Sequence, residues 1–371
     1  DWSSTFPGNR GVNRHGKYEL HDVPIGVRLS IEEAKKHGPI LTSNDQWEGA
    51  GSLQWQKAWK FDGKYHMLYN AYAKKTKNPG LGGEVFTCYA TSDDGYNWER
   101  TNLGQVEWNG SKNNNIVANA PGGTPFEDPK APPEERFKAI GQVGASFDPD
   151  TGETLDTDEA YKRFQQQEQQ GDKYKGPRFE SRHWVEGWTS PDLIHWKKIG
   201  KVADFGSDGG NAAQYDTETD SYYAHIRIAG TGRRATGLSN TKNFWKWPKA
   251  DLIMAPDPQD DPDVSFYASN YFKYPTNPNL HCSLLWIYHQ TTDILDHQIA
   301  FSRNKTHWFR PERKAIIPVG ESGGPESAAV GSWGGIFELP DGKWATVYYG
   351  FYCLHNWRPF GGTEPALKKQ P

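Results

Sequence analysis

Five short segments of the chain place a carboxylate just ahead of a stretch with strand-like composition. They are Trp47-Glu48, Glu127-Asp128-Pro129, Ser207-Asp208-Gly209, Asp261-Pro262-Asp263 and Pro325-Glu326. Two carboxyl groups flanking a glycosidic bond can cleave it when one is protonated and the other is ionised. Crowding like charges in a partly desolvated pocket raises one pKa and produces that difference. One such residue alone is more typical of a turn or a cap, so the hypothesis depends on the fold bringing several together.

Aromatic and polar side chains around these acids could bind a sugar. Aromatic rings pair with the apolar faces of carbohydrates, and the chain has 16 Trp and 14% aromatic residues, most of which sheet packing can explain. Arg227, with Arg233 and Arg234, could bind an anionic sugar substituent such as a carboxylate or sulfate, although solvated arginines are the more ordinary interpretation. We predict substrate-binding positions at Trp47, Gln54, Asn211, Tyr267, Asn270, His289, Glu326, Trp333 and Arg227.

A short phrase that recurs four times indicates how these segments are positioned. Each copy has a Ser, a polar turn and a Trp six residues after the Ser, at Ser92…Trp98, Ser190…Trp196, Ser239…Trp245 and Ser302…Trp308. Each copy predicts the end of a strand, a tight turn and an aromatic residue that folds back. A recurring unit of this kind is typical of a repeat architecture.

A strand of aromatic and β-branched residues recurs in phase with this Ser–Trp phrase. Its five copies begin at Lys64, Arg136, Tyr222, Cys282 and Lys343. Hairpin turns are predicted just before three of these strands, at Asp62-Gly63, 217–220 and Asp341-Gly342. Radially repeated sheets with aromatic residues at fixed places are typical of a β-propeller. We therefore predict an all-β fold, a five-bladed β-propeller.

The flanking segments and one insertion differ from the repeats in composition. Residues 1–40 are predicted to be an arm with a short helix at Ser30–Lys36, because Ser30 is followed three residues later by Glu33. The propeller is expected at 41–360 and a tail at 361–371. Residues 145–183 are polar, Gln-rich and compatible with a helix around 158–170. We expect them to be an insertion between blades 2 and 3 that covers part of the binding face.

Composition and charge exclude several classes of partner. The net charge is −4 from 42 basic and 46 acidic side chains, so nucleic acid is not an expected partner. No apolar run is long enough to cross a membrane, so no membrane partner is expected. Cys88, Cys282 and Cys353 do not make a disulfide framework. The start at Asp1, without Met or an apolar leader, favours a secreted or periplasmic protein.

No cofactor is expected to be required. No His/Cys cluster has the spacing of transition-metal ligands. A structural calcium ion remains possible where carboxylate and carbonyl oxygens converge in the centre of a propeller.

Several segments resemble the five-bladed β-propeller glycoside hydrolases, the superfamily that contains families 32, 43, 62, 68, 117 and 130. The resemblance covers roughly residues 40–355, and these residues look like those of a poorly characterised branch of that superfamily. It is carried by Trp47-Glu48, 113–117, Phe126-Glu127-Asp128-Pro129, 190–196 and Gly331-Ser332-Trp333-Gly334-Gly335.

The resemblance implies three acidic roles. A carboxylate of blade 1 would be the base or nucleophile, an Asp of blade 2 would bind sugar hydroxyls and tune the pKa of the acid, and an acid of blade 3 would protonate the leaving oxygen. Position by position, these catalytic residues are Glu48, Asp128 and Asp208. Blade 1 has Glu where most members have Asp, and blade 3 has Asp where many have Glu. Some members recruit a His, so His289 and His355 are alternative acids.

Three functional hypotheses follow. The first is a glycoside hydrolase, exo-acting, that removes a terminal sugar from a plant or algal polysaccharide or oligosaccharide. The second is a carbohydrate-binding propeller without catalysis. The third is a glycoside phosphorylase, which would need a basic phosphate site next to the acids. A carbohydrate substrate is the expected partner in each case, and the sequence leaves the sugar, the anomer, the stereochemical outcome and the oligomeric state open.

Overall fold

A computed structural model describes residues 10–12, 18–20, 30–44, 46–49, 53–73, 85–230, 232–352 and 354–355. Over these residues the fold is almost entirely β, with one α-helix, α1 (Thr157–Gln170), and short 3-10 turns at Pro133–Glu135 and Gly171–Lys173. The strands are, in chain order, β1 (Arg10–Val12), β2 (Tyr18–Leu20), β3 (Leu53–Phe61), β4 (Lys64–Tyr72), β5 (Val85–Ser92), β6 (Glu99–Arg100), β7 (Phe126–Glu127), β8 (Phe137–Phe147), β9 (Thr154–Leu155), β10 (Glu180–Ser190), β11 (Lys197–Ala203), β12 (Ala212–Asp216), β13 (Ser221–Gly230), β14 (Arg233–Thr241), β15 (Asp251–Met254), β16 (Val264–Tyr274), β17 (Asn277–His289), β18 (Ile294–Ser302), β19 (Trp308–Phe309), β20 (Ala329–Gly331), β21 (Phe337–Glu338), β22 (Trp344–Ala345) and β23 (Tyr349–Phe351).

Four successive stretches of the chain each form a sheet with a row of four paired strands; β9 adds to the second sheet and β20 and β23 add to the fourth. Their orders are β3-β4-β5-β6, β7-β8-β10-β11, β12-β13-β14-β15 and β16-β17-β18-β19. The predicted repeating strand is the second strand of each sheet, namely β4, β8, β13 and β17. The all-β repeat is therefore confirmed for these four units.

The predicted hairpin turns join the first and second strands of their sheets. Asp62 and Gly63, between β3 and β4, have φ of 50° and 78°, the left-handed pair that a tight two-residue hairpin needs. Asp220 (φ 49°) ends the turn between β12 and β13, and Gly342 (φ 78°) lies between β21 and β22. Asp and Gly tolerate these conformations, which is why the sequence marks the turns.

The Ser–Trp phrase is a structural turn that closes on itself. In the first copy the Ser92 hydroxyl accepts a hydrogen bond from Gly95 N (2.8 Å), and Trp98 Nε1 donates to Gly95 O (2.9 Å). Trp196 Nε1 and Trp308 Nε1 make the same bond to the carbonyls of Leu193 and Lys305, at 2.7 Å each. The phrase thus fixes the end of the third strand of a sheet.

The third copy of the phrase is aligned differently from the sequence prediction. Trp247, and not Trp245, folds back there, because its Nε1 donates to Phe244 O (2.8 Å). Trp245 is 46% exposed, whereas Trp247 is 4% exposed. The hydroxyl residue of this turn is Thr241, which ends β14 and accepts from Asn243 N (3.0 Å). The six-residue spacing therefore holds from Thr241 to Trp247, and counting from Ser239 selects the wrong Trp.

A fifth four-stranded sheet is not present among the described residues. β21 pairs with β22 alone, while β20 pairs with β18 and with β23 at the edge of the fourth sheet. The segment from β20 to β23 contains Gly334, Gly335 and Pro340, residue types that interrupt strands. Its strands are correspondingly two or three residues long.

The predicted helix at Ser30–Lys36 is wrong. Residues 30–39 have no regular secondary structure, and their backbone donors are used by distant residues. Ile31 N donates to the Glu312 carboxylate (2.7 Å), and Ala34 N donates to Ile316 O (2.8 Å). These tertiary hydrogen bonds replace the bonds within a helix that the capping pattern at Ser30 predicted. The rest of the predicted arm and the tail at 361–371 lie largely outside the described residues.

The predicted insertion lies within the second sheet and not between the second and third sheets. β8 and β10 pair continuously from Phe137↔Ser190 to Phe147↔Glu180, so both strands extend into the segment assigned to the insertion. The connection between them holds β9 and α1, and the predicted helix there is confirmed. Asp156 caps α1 by accepting from Glu159 N (2.8 Å).

The protein forms two compact units. One contains the described residues of Asp1–Ala120, His225–Leu238 and Ala250–Pro371, and the other consists of Pro121–Ala224 and Ser239–Lys249. In the first unit, the first sheet has an apolar core that includes Tyr65, Tyr69 and Cys88, and the fourth sheet has one that includes Tyr267, Trp286 and Trp333. Cys88 and Cys282 are buried free thiols; Cys353 lies outside the described residues.

Candidate functional site

The Glu48 carboxylate is fully enclosed at the turn that precedes β3. Its Oε1 accepts from Tyr69 OH (2.7 Å) and Arg100 Nε (2.9 Å). Its Oε2 accepts from Arg100 Nη2 (2.6 Å) and Asn44 N (2.9 Å). Glu48 has 0% exposed surface, so the bidentate Arg100 pair compensates its charge inside the protein.

Hydrogen bonds continue from Glu48 to Trp47 through two more side chains. Asn115 Nδ2 donates to Tyr69 OH (2.8 Å), and Trp47 Nε1 donates to Asn115 Oδ1 (2.9 Å). Burial, together with the neighbouring Cys88 and Glu48 side chains, raises the pKa of Tyr69 far above its usual range. We call Glu48, Arg100, Tyr69, Asn115 and Trp47 the Glu48 network. Trp47 is buried in this network, a position that ties the turn to the first sheet.

Asp128 is also buried and paired, just after β7. Its Oδ2 accepts from Lys138 Nζ (2.7 Å) and Tyr222 OH (2.6 Å), and its Oδ1 accepts from Lys130 N (3.0 Å). Burial acts to raise the pKa of Asp128, but the hydrogen bonds from Lys138 and Tyr222 and the Lys138 charge outweigh it and lower the pKa. Asp128 is therefore ionised at neutral pH and suits hydrogen bonding to hydroxyl groups better than proton donation.

Asp208 lies in the exposed loop that leads into β12. Its Oδ1 accepts from Gly209 N (2.7 Å), and its side chain is exposed to solvent. Next to it, Ser207 Oγ donates to Asn211 Oδ1 (2.7 Å), and Asn211 is buried. Of the three predicted catalytic acids, Asp208 is the one whose side chain is exposed. The convergence of the three carboxyl groups stays a prediction.

Two strands of the first unit carry a β-bulge at an aromatic residue. In β3 the register shifts between Gln54 and Lys57, and Trp55 has φ of 57°, a strained value for an aromatic residue. In β16 the register shifts between Phe266 and Ala268, so that Tyr267 is the extra residue. Bulges re-aim side chains and are frequent beside active sites.

The bulged residues belong to one group of aromatic rings. Trp55 stacks on Trp333 with ring centroids 4.1 Å apart and an interplanar angle of 13°. The ring centroids of Trp333 and Trp286 are 4.6 Å apart. The Trp286 ring is nearly parallel to that of Tyr267, with centroids 5.9 Å apart. Tyr288 and Tyr349 pack on the same group.

Polar and charged groups surround these rings. Asn270 Nδ2 and Trp286 Nε1 both donate to Ser332 O. Asn270 Oδ1 and Trp333 Nε1 are buried without a hydrogen-bond partner among the described residues. The Arg227 guanidinium lies over the Tyr267 ring at 4.3 Å from the centroid, and Arg234 lies 5.5 Å from the same centroid.

The predicted alternative acid His355 is in the same place. Its Nε2 lies 2.9 Å from Tyr267 OH. We call this assembly the aromatic–arginine cluster; its members are Trp55, Tyr267, Trp286, Tyr288, Trp333, Asn270, Arg227, Arg234 and His355. Sequence analysis named six of them and missed Trp55, Trp286 and Tyr288, which have the composition of ordinary core strands.

The remaining predicted binding residues are not members of the aromatic–arginine cluster. Gln54 is buried and accepts from Trp55 Nε1 (3.2 Å). His289 pairs with Asp296 at 3.0 Å, and this hydrogen bond raises the pKa of His289. Glu326 pairs with Lys36 at 2.9 Å. Arg233 donates to the backbone carbonyls of Pro262 (3.3 Å) and Val264 (3.0 Å), a structural role.

Neither a metal-binding group nor a membrane-spanning helix occurs in the part of the chain that the structure describes. Within that part, no group of three or more His, Cys, Asp and Glu side chains is arranged to hold a metal ion. No helix among the described residues is long and apolar enough to span a membrane.

The protein is similar in structure to solved glycoside hydrolases. No protein-family model matches it, and no curated protein sequence matches it. A structure described as "Glycoside hydrolase" superposes with a TM-score of 0.53 at 12% identity, over 86% of this protein and 92% of the other. A candidate glycoside hydrolase from Parabacteroides distasonis has a TM-score of 0.52 at 13% identity, over 87% and 93%. A glycosyl hydrolase from Bacteroides ovatus has a TM-score of 0.51 at 12% identity, over 88% and 92%.

These likenesses extend over most of both proteins in each comparison. The protein therefore has the all-β propeller fold of the propeller glycoside hydrolases, as the repeats and the resemblance predicted.

Proposed function

We propose that this protein acts on glycosides, as a hydrolase that removes a terminal sugar from a polysaccharide or oligosaccharide. The fold shared with solved glycoside hydrolases supports this proposal. The observation that carries it further is the aromatic–arginine cluster, in which two β-bulges direct Trp55 and Tyr267 into one group of rings. Its partly exposed members are Trp55, Arg234 and His355. An aromatic ring beside hydrogen-bonding side chains suits a carbohydrate, whose ring has apolar faces and polar edges.

The proposed chemistry needs one ionised and one protonated carboxyl group. Asp128 supplies an ionised carboxylate, because Lys138 and Tyr222 stabilise its charge. Asp208 supplies an exposed carboxyl group that could give a proton to the leaving oxygen. Glu48 could act as a base only if Arg100 first moved away, because its carboxylate has no exposed surface. We therefore assign Asp208 first place among the acids to test, and Glu48 a supporting role.

A panel of aryl glycosides and oligosaccharides, assayed with and without inorganic phosphate, tests the proposal. Release of a terminal monosaccharide by the parent, and its loss in Asp208→Asn, is the expected result. The matched control is Asp204→Asn, because Asp204 lies in the same loop with its side chain 86% exposed. Phosphate-dependent release of a sugar phosphate would identify a phosphorylase. If the protein binds sugars of the panel but cleaves none of them, the enzymatic proposal is wrong.

Non-catalytic carbohydrate binding is the second candidate. The burial and ion pairing of both Glu48 and Asp128 favour it, because neither carboxylate resembles a group held ready for proton transfer. In that case binding would still depend on the aromatic–arginine cluster. Substitution of Trp55 would then weaken binding, while Asp208→Asn would have no effect.

A further inference from the structure

We propose that Arg227, Arg234 and His355 form a binding site for an oxyanion carried by the sugar, a carboxylate or sulfate group, beside Tyr267. The inference rests on the proposed carbohydrate function and adds the chemical class of the substrate. It predicts that acidic or sulfated sugars bind better than their neutral counterparts.

The first argument is geometric. Arg227 and Arg234 come from neighbouring strands, β13 and β14, and both guanidinium groups lie beside the ring of Tyr267. Arg234 also lies 5.7 Å from the ring centroid of Tyr288. Stacking against aromatic faces fixes the plane of a guanidinium group, so its N–H fork is already oriented when a ligand arrives.

The second argument is charge. Among the described residues, Arg234 forms no hydrogen bond and no ion pair, although it is partly buried. Asp293 accepts a hydrogen bond from Tyr288 OH (2.6 Å) and lies 3.9 Å from His355 Nδ1. Arg234, in contrast, has no carboxylate partner within the described ranges. An incoming anion would complete the balance of charge.

The neighbouring Arg233 has the hydrogen-bond partners of an arginine that stabilises the fold. Its guanidinium donates to backbone carbonyls, including that of Val264 at 3.0 Å. Arg310 and Arg313 elsewhere in the same unit pair with Asp260 at 2.5 Å and 2.9 Å. Arg234 has neither kind of partner within the described ranges. That difference is expected of a side chain whose partner is a ligand.

The chemistry favours an oxyanion over a neutral hydroxyl group. A guanidinium group matches the two oxygens of a carboxylate or sulfate with two parallel hydrogen bonds, and such charge-assisted bonds are stronger than neutral ones. The buried rings of Tyr267 and Tyr288 hold the arginine side chains in place.

Calorimetric titration of the folded protein tests the site without depending on turnover. The probes are glucuronate and galactose 6-sulfate, their neutral counterparts glucose and galactose, and inorganic phosphate. We expect the two anionic sugars to bind at least about tenfold more tightly than the neutral ones, and Arg234→Gln to remove that advantage. Arg303→Gln, which removes the same charge at an exposed position, should leave binding unchanged. Arg234→Lys should keep part of the preference for anionic sugars, because Lys retains the positive charge but lacks the planar guanidinium fork.

The outcomes separate this inference from the proposed function. Equal binding of anionic and neutral sugars, or full anion binding in Arg234→Gln, would overturn the oxyanion site while leaving hydrolysis of neutral glycosides possible. Binding of inorganic phosphate but of neither anionic sugar would overturn the sugar-borne anion. Tight binding of anionic sugars by a protein that cleaves no glycoside would support the site and contradict the enzyme.

Discussion

The Glu48 carboxylate accepts hydrogen bonds from Asn44, Tyr69 and both nitrogens of an Arg100 fork, and it has no exposed surface. The Asp208 carboxylate lies in an exposed loop and accepts from its neighbour Gly209 N. Both acids precede the first strand of a sheet. A fully compensated buried carboxylate stabilises the fold, whereas an exposed one can meet a substrate. The difference therefore separates an acid with a structural role from the acid that we propose for the chemistry.

The largest effect is expected from Asp208→Asn. An inactive role for Asp208 would contradict the contrast drawn between it and Glu48. We expect turnover of a cleavable glycoside to fall by about 100-fold or more, because a positioned general acid contributes about that much. The unfolding midpoint should not change, since the side chain is exposed. Initial rates and thermal unfolding of the same preparation check both statements, with Asp204→Asn as the control. Parent-like turnover in Asp208→Asn, with activity abolished by His289→Ala or Glu326→Gln, would move the acid to a later sheet.

Glu48→Gln tests the other side of the comparison. Gln has the same shape but leaves Arg100 without its ionised partner, and breaking a buried ion pair costs about 3 kcal/mol. Urea unfolding should show that loss, while Glu99→Gln, an exposed change on the strand that carries Arg100, should not. A Glu48→Gln protein as stable as the parent but devoid of turnover would make Glu48 a catalytic residue.

Much of this organisation could be predicted from the sequence. Hairpin turns at Asp62-Gly63 and Asp341-Gly342 and the repeating second strand are local signals, because turn chemistry and strand composition are read within a few residues. The burial of Glu48 could not be predicted, since its partners Tyr69 and Arg100 come from strands β4 and β6. Trp55 was missed for a similar reason: its left-handed backbone follows from a bulge in pairing with β4, and nothing in its own segment announces it.

Asp128 sharpens the comparison, because it is buried like Glu48 but carries a lowered pKa. A lowered folded-state pKa stabilises the fold above the unfolded value, about pH 4, and that contribution is lost as pH falls through the folded value. Asp128→Asn should therefore be less stable than the parent near neutral pH, and the difference in unfolding free energy should shrink as pH falls below about 4. Unfolding free energies measured across that range check the trend, with the exposed Asp150→Asn as the control. A gap that is constant or widens in acid would contradict it.

The smallest effect concerns the strained backbone at Trp55. At φ of 57° a Cβ atom costs about 1 kcal/mol, which glycine avoids. Trp55→Gly should therefore be more stable than Trp55→Ala by about that amount, while both weaken sugar binding alike because both lose the stack on Trp333. Unfolding and sugar titration of the two variants measure these separately. Equal stabilities would show that the bulge relaxes in the variants.

Turnover and urea unfolding measured on the same preparations of Glu48→Gln and Asp208→Asn decide which of the two carboxylates takes part in the reaction. We expect opposite losses. Glu48→Gln unfolds at a lower urea concentration but keeps turnover per folded molecule, and Asp208→Asn unfolds like the parent but loses turnover by about 100-fold or more. The reverse pattern, a stable but inactive Glu48→Gln beside an active Asp208→Asn, would contradict the assignment of structure to the one carboxylate and chemistry to the other.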